Sequence, residues 1–142
     1  MIRVEKFKSD NVQIAQVAFA IRSKVFVDEQ NVSREEEFDE FESEAMHYLV
    51  YFNEVPAGAS RWRTTQHGIK LERFAVLKDY RGKGVGEAVL SAMLNDVLPL
   101  GKKIYLHAQI SAEGFYLKNN FESIGEHFWE ANIEHVKMEY KV

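Results

Sequence analysis

Short stretches of alternating apolar and polar residues recur along the chain, a pattern that predicts half-buried β-strands. Turn-forming residues separate several of them, as in Asn-Glu-Val-Pro at residues 53–56 and Gln-His-Gly at residues 66–68. The pattern predicts strands at residues 2–8, 46–52, 57–65, 69–77, 104–108, 121–129 and 133–140.

Elsewhere, apolar residues recur every three or four positions, which predicts amphipathic helices. Asp10 followed by Gln13 resembles a capping box and predicts the start of the first helix. Ser33 followed by Glu36 predicts the start of a second, short and acidic helix or ordered loop. Helices are predicted at about residues 10–27, 33–41, 85–97 and 111–119.

The resulting order, βα(α)βββαβαββ, predicts an α+β fold with a central, mainly antiparallel mixed sheet flanked by helices. The 142 residues contain no repeat or linker, so one domain over residues 1–142 is expected. Cysteine is absent, which excludes disulfides and thiol nucleophiles. No apolar run has membrane-spanning length and the first residues do not resemble a signal peptide, so a cytoplasmic protein without a membrane partner is expected.

Charge is distributed unevenly along the chain. Residues 28–44 contain nine acidic residues and one arginine, a net charge of −8, whereas the whole chain carries −4. An acidic total without a basic stripe argues against nucleic acid as a partner. The acidic segment has two interpretations, a surface that attracts a cationic amine or a solvated acidic helix.

Residues 81–86 read Arg-Gly-Lys-Gly-Val-Gly between a predicted strand and a predicted helix. Backbone N–H groups are unpaired at the start of a helix and its dipole favours anions, so a phosphate-bearing ligand is expected there. The spacing fits neither a Walker A loop, which needs Ser or Thr after Gly-Lys, nor the dinucleotide fingerprint, whose third glycine would fall at Glu87. The alternative is an ordinary glycine-containing turn.

A second motif lies downstream, with Gln109 and Ala112 followed by Phe-Tyr-x-Lys at residues 115–118 and by Phe121. Together with Arg-x-x-Gly-x-Gly at residues 81–86, it resembles the GNAT superfamily of acetyl-CoA-dependent N-acetyltransferases. Gln109 stands where Asn is usual, and Asn120 replaces a usual Gly, which the tolerance of Asn for left-handed backbone allows. Residues 25–32 and 133–136 resemble the small bacterial ElaA/YjcF-like branch.

The resemblance implies that acetyl-CoA binds in a cleft where the fourth and fifth strands diverge. The fourth strand would pair with the pantetheine arm, and the glycine-rich turn would hold the diphosphate. Lys118 would reach a coenzyme phosphate, unless it is simply a solvated helix lysine. The residues implied in cofactor binding are Phe74, Ala75, Val76, Arg81, Gly82, Lys83, Gly84, Val85, Gly86, Glu87, Gln109, Phe115 and Lys118.

Amide formation from a thioester needs a neutral amine and a proton donor for the leaving sulfur. By the resemblance, Tyr116 is the tyrosine that contacts this sulfur, and it is the candidate acid. A phenol is neutral at pH 7 and can deliver a proton over one hydrogen bond. The alternative for Tyr116 is a core aromatic on a short amphipathic helix.

Two residues are candidates for the base. Glu72 shares a predicted strand face with Phe74 and Val76, where partial desolvation would raise its pKa. Glu72 could equally anchor the amine or form a salt bridge with an arginine across the sheet. His107 on the fifth strand has an intrinsic pKa that suits a base at neutral pH, and its alternative is a structural role.

The acceptor side of the cleft is expected to involve the region after the first helix, although core packing would explain its aromatic residues equally well. His127, Glu130, Glu134 and His135 fit no compact ligand spacing, so no metal is expected. The candidate acceptor-side residues are Phe26, Glu29, Gln30 and Trp62.

The sequence therefore predicts an N-acetyltransferase that transfers an acetyl group from acetyl-CoA to a primary amine by direct attack on the thioester. The acceptor is a small-molecule amine or the amine of a protein or peptide, and the acidic segment favours a cationic one. The alternatives are a non-catalytic acetyl-CoA or CoA-binding sensor or regulatory domain, and a nucleotide-binding interaction domain. The resemblance also allows a homodimer through the terminal strands.

Overall fold

One mixed sheet of seven strands runs through the protein, of which the computed structural model describes residues 1–142. The strand order is β1-β2-β3-β4-β5-β7-β6, and every neighbouring pair is antiparallel except β4 and β5. This confirms the predicted α+β fold. The strands are β1 (Ile2–Phe7), β2 (Met46–Phe52), β3 (Val55–Thr65), β4 (Gly68–Val76), β5 (Ile104–Gln109), β6 (Phe121–Glu130) and β7 (Ile133–Tyr140).

Two helices, α1 (Val12–Arg22) and α3 (Val85–Val97), cover opposite faces of this sheet, and each buries apolar residues against it. On one face, Val89 and Met93 of α3 are buried against Leu71 and Leu106 of the sheet. On the other face, α1 packs over Ala75 in a second, smaller core. None of the helices has the length and apolar character needed to cross a membrane. The helices are α1 (Val12–Arg22), α2 (Arg34–Glu37), α3 (Val85–Val97) and α4 (Glu113–Lys118).

The helix starts were predicted with mixed success. The proposed capping box of Asp10 and Gln13 is wrong, because α1 begins after Asn11 and no side chain caps it. The predicted start of the second helix at Ser33 is confirmed, since the Ser33 hydroxyl accepts a hydrogen bond from the Glu36 N–H at 3.1 Å. A π-helix (Ser23–Glu29) continues α1, and its wider turn has no signature in a period of 3.6 residues.

A bulge in β4 changes which residues share a face of that strand. Arg73 has a left-handed backbone with φ of 60°, and the register with β3 shifts next to it. Leu71 therefore packs in the same core as Phe74 and Val76, although it precedes Phe74 by three positions. The predicted alternation placed Glu72 on the same face of the strand as Phe74 and Val76. This prediction is wrong, because the bulge at Arg73 puts Leu71 on that face in place of Glu72.

The strands β4 and β5 stay together over three pairs only. Leu71 pairs with Leu106 in the last of these, and beyond that point no pair joins the two strands. Parallel strands that diverge expose unpaired backbone groups along their facing edges. The sheet therefore contains a fork, whose first residues on the two sides are Glu72 and His107.

Candidate active site

A cavity of about 940 Å³ occupies the fork between β4 and β5 and is lined by residues from both faces of the sheet. The α3 and α4 side contributes Gly86, Phe115 and Tyr116, and the α1 side contributes Phe26 and Gln30. The strand residues along its walls are Glu72, Phe74, Ala75, Val76, His107 and Gln109. The fold thus brings together most of the residues that the sequence predicted to act jointly.

The glycine-rich loop beside this cavity leaves a run of backbone N–H groups without partners. Gly82 and Gly84 adopt left-handed backbone, with φ of 75° and 87°. Gly84 is the N-cap of α3 without a side-chain cap, and the first helical bond runs from the Ala88 N–H to the Gly84 carbonyl at 3.0 Å. No backbone bond involves the N–H groups of residues 82–84. This arrangement is suited to an anion.

A smaller cavity of about 170 Å³ lies against this loop. Its walls include Gly82, Gly84 and Glu87 from the loop and the first turn of α3. Phe115 and Gly86 belong to the walls of both cavities, so the two spaces adjoin at the start of α3. Lys83 carries the nearby cationic group, whose Nζ lies 5.5 Å from the Phe52 ring centroid.

Arg81, one of the residues implied in cofactor binding, is already paired within the protein. Its guanidinium donates to the Val76 carbonyl at 2.9 Å and to both carboxylate oxygens of Glu29 at 3.0 and 2.9 Å. Glu29, expected on the acceptor side, instead joins the π-helix to the glycine loop. The ion pair is partly exposed, with 44% and 33% of the two side chains accessible.

Tyr116 on α4 presents a buried phenol with a free hydroxyl. Its ring meets the edges of the Phe74, Phe115 and Phe121 rings at centroid distances of 5.6, 5.1 and 5.8 Å. Burial alone raises the pKa of Tyr116, with no hydrogen bond contributing. No fully enclosed side-chain oxygen in the protein lacks a partner, so this hydroxyl opens into the cavity. The phenol is neutral at pH 7 and can donate a proton there.

Glu72 is a buried carboxylate held by three cations. It accepts hydrogen bonds from Arg61 at 3.0 Å and Arg63 at 2.8 Å, and Lys70 Nζ lies 3.2 Å away. Burial acts to raise the pKa of Glu72, but these cations together lower it to about 2. The expected upward shift is therefore wrong, and the cross-strand salt bridge is the interpretation that the structure shows.

The acidic segment is neither free nor fully solvated, because buried arginines bind three of its carboxylates. Arg22 contacts Glu37 and Glu42, each at 2.7 Å. Arg61 contacts Asp39 at 2.8 Å. Burial acts to raise the pKa of Asp39, but hydrogen bonds and charge from Arg61 dominate and lower it to about 2. Much of the segment's charge is thus neutralised internally.

His107 lies on β5 immediately beyond the fork and borders the cavity. Its Nδ1 lies 2.9 Å from a carboxylate oxygen of Glu130, and this is the one hydrogen bond of its ring. The ring packs edge-on against Phe128 with 5.0 Å between centroids. The hydrogen bond with His107 is the main factor that lowers the pKa of Glu130. His107 and Glu130 thus form a histidine–carboxylate pair at the cavity.

Comparison with known proteins places this geometry in one family. The model of the GNAT acetyltransferase domain matches residues 7–142. The chain belongs to the GNAT acetyltransferase family. It is 43% identical over 123 residues to the uncharacterized N-acetyltransferase YjcF of Bacillus subtilis (strain 168), covering 85% of this chain and 88% of YjcF. The predicted resemblance is confirmed, and the chain is an acyltransferase.

Solved structures show the same GNAT fold. Escherichia coli ElaA superposes with a TM-score of 0.87 at 23% identity, covering 99% of this chain and 100% of ElaA. A Bacillus subtilis acetyltransferase, solved in complex with CoA, gives a TM-score of 0.71 at 16% identity and covers 100% of this chain and 99% of its own.

Within this GNAT fold, four predicted site residues border neither cavity, namely Glu29 and Lys83, described above, and Trp62 and Lys118. Trp62 donates its indole N–H to the Tyr48 hydroxyl at 2.8 Å, and Tyr48 donates to Asp96 of α3 at 2.7 Å. Trp62 therefore belongs to a structural network and not to an acceptor wall. Lys118 is exposed at the end of α4 and borders neither cavity.

Gln30 and Gln109 meet across the open end of the cleft. Their side-chain amides bond reciprocally, with N···O distances of 2.8 and 3.4 Å. This pair joins the end of β5 to the residue that follows the π-helix. Sequence reasoning placed both residues at the site but not in contact, because they are separated by 79 positions in the chain.

Sequence reasoning missed the part that Glu130 takes in the site. It treated Glu130 only as a weak candidate for metal binding, whereas the carboxylate reaches His107. No group of three or more His, Cys, Asp or Glu side chains is placed to hold a metal ion. A histidine on one strand and a carboxylate at the end of another give no local signal in the sequence.

Proposed function

We propose that this chain is an N-acetyltransferase that transfers an acetyl group from acetyl-CoA to a primary amine by direct attack on the thioester. The observation that carries the proposal is the run of unpaired N–H groups at residues 82–84, which adjoins the cavity where the Tyr116 hydroxyl is free. The family assignment and the CoA bound by a relative of the same fold support it.

The glycine loop would hold the diphosphate of acetyl-CoA. Its N–H groups are directed at no internal acceptor, and the dipole of α3 favours negative charge at this end. The edge of β4 from Phe74 to Val76 has no strand partner on the β5 side, so its backbone would pair with the pantetheine amides.

Acetyl-CoA, when bound, supplies a thioester carbonyl that an amine can attack. Tyr116 would give its phenolic proton to the departing sulfur, because burial keeps this phenol protonated at neutral pH. Tyr116 would then recover a proton released by the amine nitrogen. The free hydroxyl and its position in the cavity support this role.

His107 would take the first proton from the acceptor's ammonium group. Glu72 is a weaker base candidate, since a carboxylate with a pKa of about 2 has little affinity for a proton at neutral pH. We retain Glu72 as an amine anchor at the fork, although its contacts with Arg61, Arg63 and Lys70 neutralise most of its charge. His107 and Glu72 lie at opposite sides of the fork, where attack would occur.

The acceptor is a primary amine of a small molecule, protein or peptide. Glu35 and Glu36 are exposed at the cavity and take part in no ion pair, so they favour a cationic acceptor. Glu37, the third acidic residue of this helix, is bound by Arg22 and does not contribute in the same way.

A thiol-release assay with acetyl-CoA and a panel of amines tests the proposal. We expect release of CoA with at least one primary amine, and loss of most turnover in Tyr116→Phe while calorimetric binding of CoA is retained. A protein that binds CoA but acetylates no amine would contradict the catalytic proposal and indicate a sensor. Stabilisation by ATP but not by acetyl-CoA in a melting experiment would indicate a nucleotide-binding domain.

A further inference from the structure

Glu130 is a carboxylate at the cavity to which the proposed reaction gives no role. It is the last residue of β6, and its side chain reaches across to β5. Its Oε1 lies 2.9 Å from His107 Nδ1, a distance typical of a charge-assisted hydrogen bond. The two residues are 23 positions apart in the chain, so the tertiary fold creates the contact.

The β6–β7 hairpin is shaped to bring Glu130 to the cavity. Its two-residue turn consists of Ala131 and Asn132, both with left-handed backbone at φ of 50° and 61°. The pairing of β6 with β7 also shifts register between Ile124 and Phe128, which bends the hairpin. Ala131 itself borders the cavity. The tip of the hairpin is therefore part of the site.

The contact determines which nitrogen of His107 carries the proton. An ionised carboxylate can only accept hydrogen bonds, so Nδ1 must donate to Glu130. In the neutral imidazole, Nε2 then carries the lone pair. Phe128 packs edge-on against the ring at 5.0 Å and limits its rotation. A neutral His107 is thus held with its basic nitrogen directed away from Glu130.

We propose that Glu130 is a positioning residue that holds His107 in the tautomer able to accept a proton at Nε2. The inference rests on the proposed function, in which His107 removes one proton from the acceptor's ammonium group. The N–H bond of the ammonium breaks, its electron pair stays on the amine nitrogen, and the proton forms a new bond with Nε2. The resulting imidazolium is stabilised by the Glu130 carboxylate at Nδ1.

Other charged groups around the pair affect the same equilibrium. Lys70 and Glu72 approach from β4, and both border the cavity. His135 approaches from β7, where Lys137 is the register partner of His107. These residues are unchanged in a Glu130→Gln variant, so a comparison with the unmodified protein isolates the carboxylate.

Nitrogen-15 NMR of selectively labelled histidines tests the geometry without any substrate. We expect the Nδ1–H tautomer at neutral His107 in the unmodified protein, and a mixed population of the two tautomers in Glu130→Gln. Glu134→Gln is the matched control, since Glu134 bonds His127 at 3.2 Å in the same hairpin and should leave His107 unchanged. A predominant Nε2–H tautomer in the unmodified protein would overturn the proposal.

Kinetics of the same variants test the role in turnover. We expect Glu130→Gln to lower kcat by about 10-fold or more, as for carboxylates that orient metal-bound histidines. Its KM for acetyl-CoA should change little, and the acidic limb of its pH profile, which reports deprotonation of the base, should move. Full kcat in Glu130→Gln, together with a strong loss in His107→Gln, would refute the role of Glu130 alone. Full turnover in His107→Gln would instead refute the base assignment of the proposed function.

Discussion

The Glu29 carboxylate binds the Arg81 guanidinium at 2.9 Å and thereby joins the π-helix to the glycine loop. Arg81 also donates to the Val76 carbonyl at the end of β4, so one side chain connects three elements around the cleft. The positive charge of Arg81 is thus already neutralised by Glu29. What distinguishes the loop as an anion site is its backbone, together with Lys83.

Replacing Glu29 with Gln should strengthen CoA binding. The substitution preserves the shape of the side chain but releases the Arg81 charge, while the bond to Val76 keeps the loop in place. An exposed ion pair contributes at most ~1 kcal/mol, so we expect a gain of up to about fivefold in affinity. Calorimetry at low and high salt measures it. A weaker affinity would show that Glu29 mainly holds the loop in its binding conformation.

Gly84→Ala should weaken CoA binding and lower stability. Gly84 has φ of 87°, and a left-handed backbone costs a residue with a side chain about 1–2 kcal/mol. Gly114→Ala is the matched control, because an added Cβ meets nothing within 4 Å in α4 and alanine favours helices. Urea unfolding and CoA titration of both variants check this. Equal affinities in the two variants would contradict the loop's role.

Glu72→Gln should strongly destabilise the protein. The substitution removes the buried carboxylate that Arg61, Arg63 and Lys70 share, although Asp39 and Glu42 still pair with Arg61. Breaking a buried ion pair on one side costs about 3–5 kcal/mol in the free energy of unfolding, and the remaining partners of Arg61 place the expected cost at the lower end. The control Glu54→Gln removes the exposed partner of Arg3 and should have little effect. Similar urea midpoints for the two variants would contradict this account of the network.

Acid should remove the contribution of the same network. Asp39 and Glu72 have pKa values of about 2 when folded, below their unfolded values near 4. Protonation therefore favours the unfolded state, and their contribution is full above about pH 5 and disappears towards pH 2. Glu37 opposes this trend, because burial raises its pKa. Urea unfolding from pH 7 to pH 2 should show a steeper loss in the unmodified protein than in Glu72→Gln.

The double variant Glu35→Gln with Glu36→Gln should raise KM for cationic amines by about twofold to fivefold, since each exposed charge contributes modestly. Neutral amines should be unaffected, and the effect should weaken with salt. Glu40→Gln with Glu44→Gln is the control, because these exposed residues of the acidic segment lie outside the cavity. An equal rise for neutral and cationic amines would point to a local structural change.

Local patterns predicted much of this fold. The strand alternation, the Ser33 cap and the left-handed backbone of Asn120, with φ of 71°, were all readable from residue type and spacing. The glycine loop was readable as well, because glycine is required where Gly82 and Gly84 take positive φ. These features depend on residues close together in the chain.

The errors share a different cause, which is dependence on tertiary contacts. The bulge at Arg73 contains no glycine or proline. Nothing in the sequence therefore indicated that the alternation of side chains between the two faces of β4 is interrupted there. The pairing of Glu29 with Arg81 and of Glu130 with His107 links segments that meet only in the folded sheet. The charge of residues 28–44 likewise revealed nothing of the buried arginines that neutralise it.

The central claim is that backbone amides at the start of α3 bind the diphosphate of CoA. A titration followed by 1H–15N correlation NMR tests it most directly, because each amide of the loop reports separately. We predict that the amide signals of Gly82, Gly84 and Gly86 shift most at saturation, with smaller changes at the control residue Gly114. Saturable CoA binding that leaves these loop amides unchanged would contradict the account.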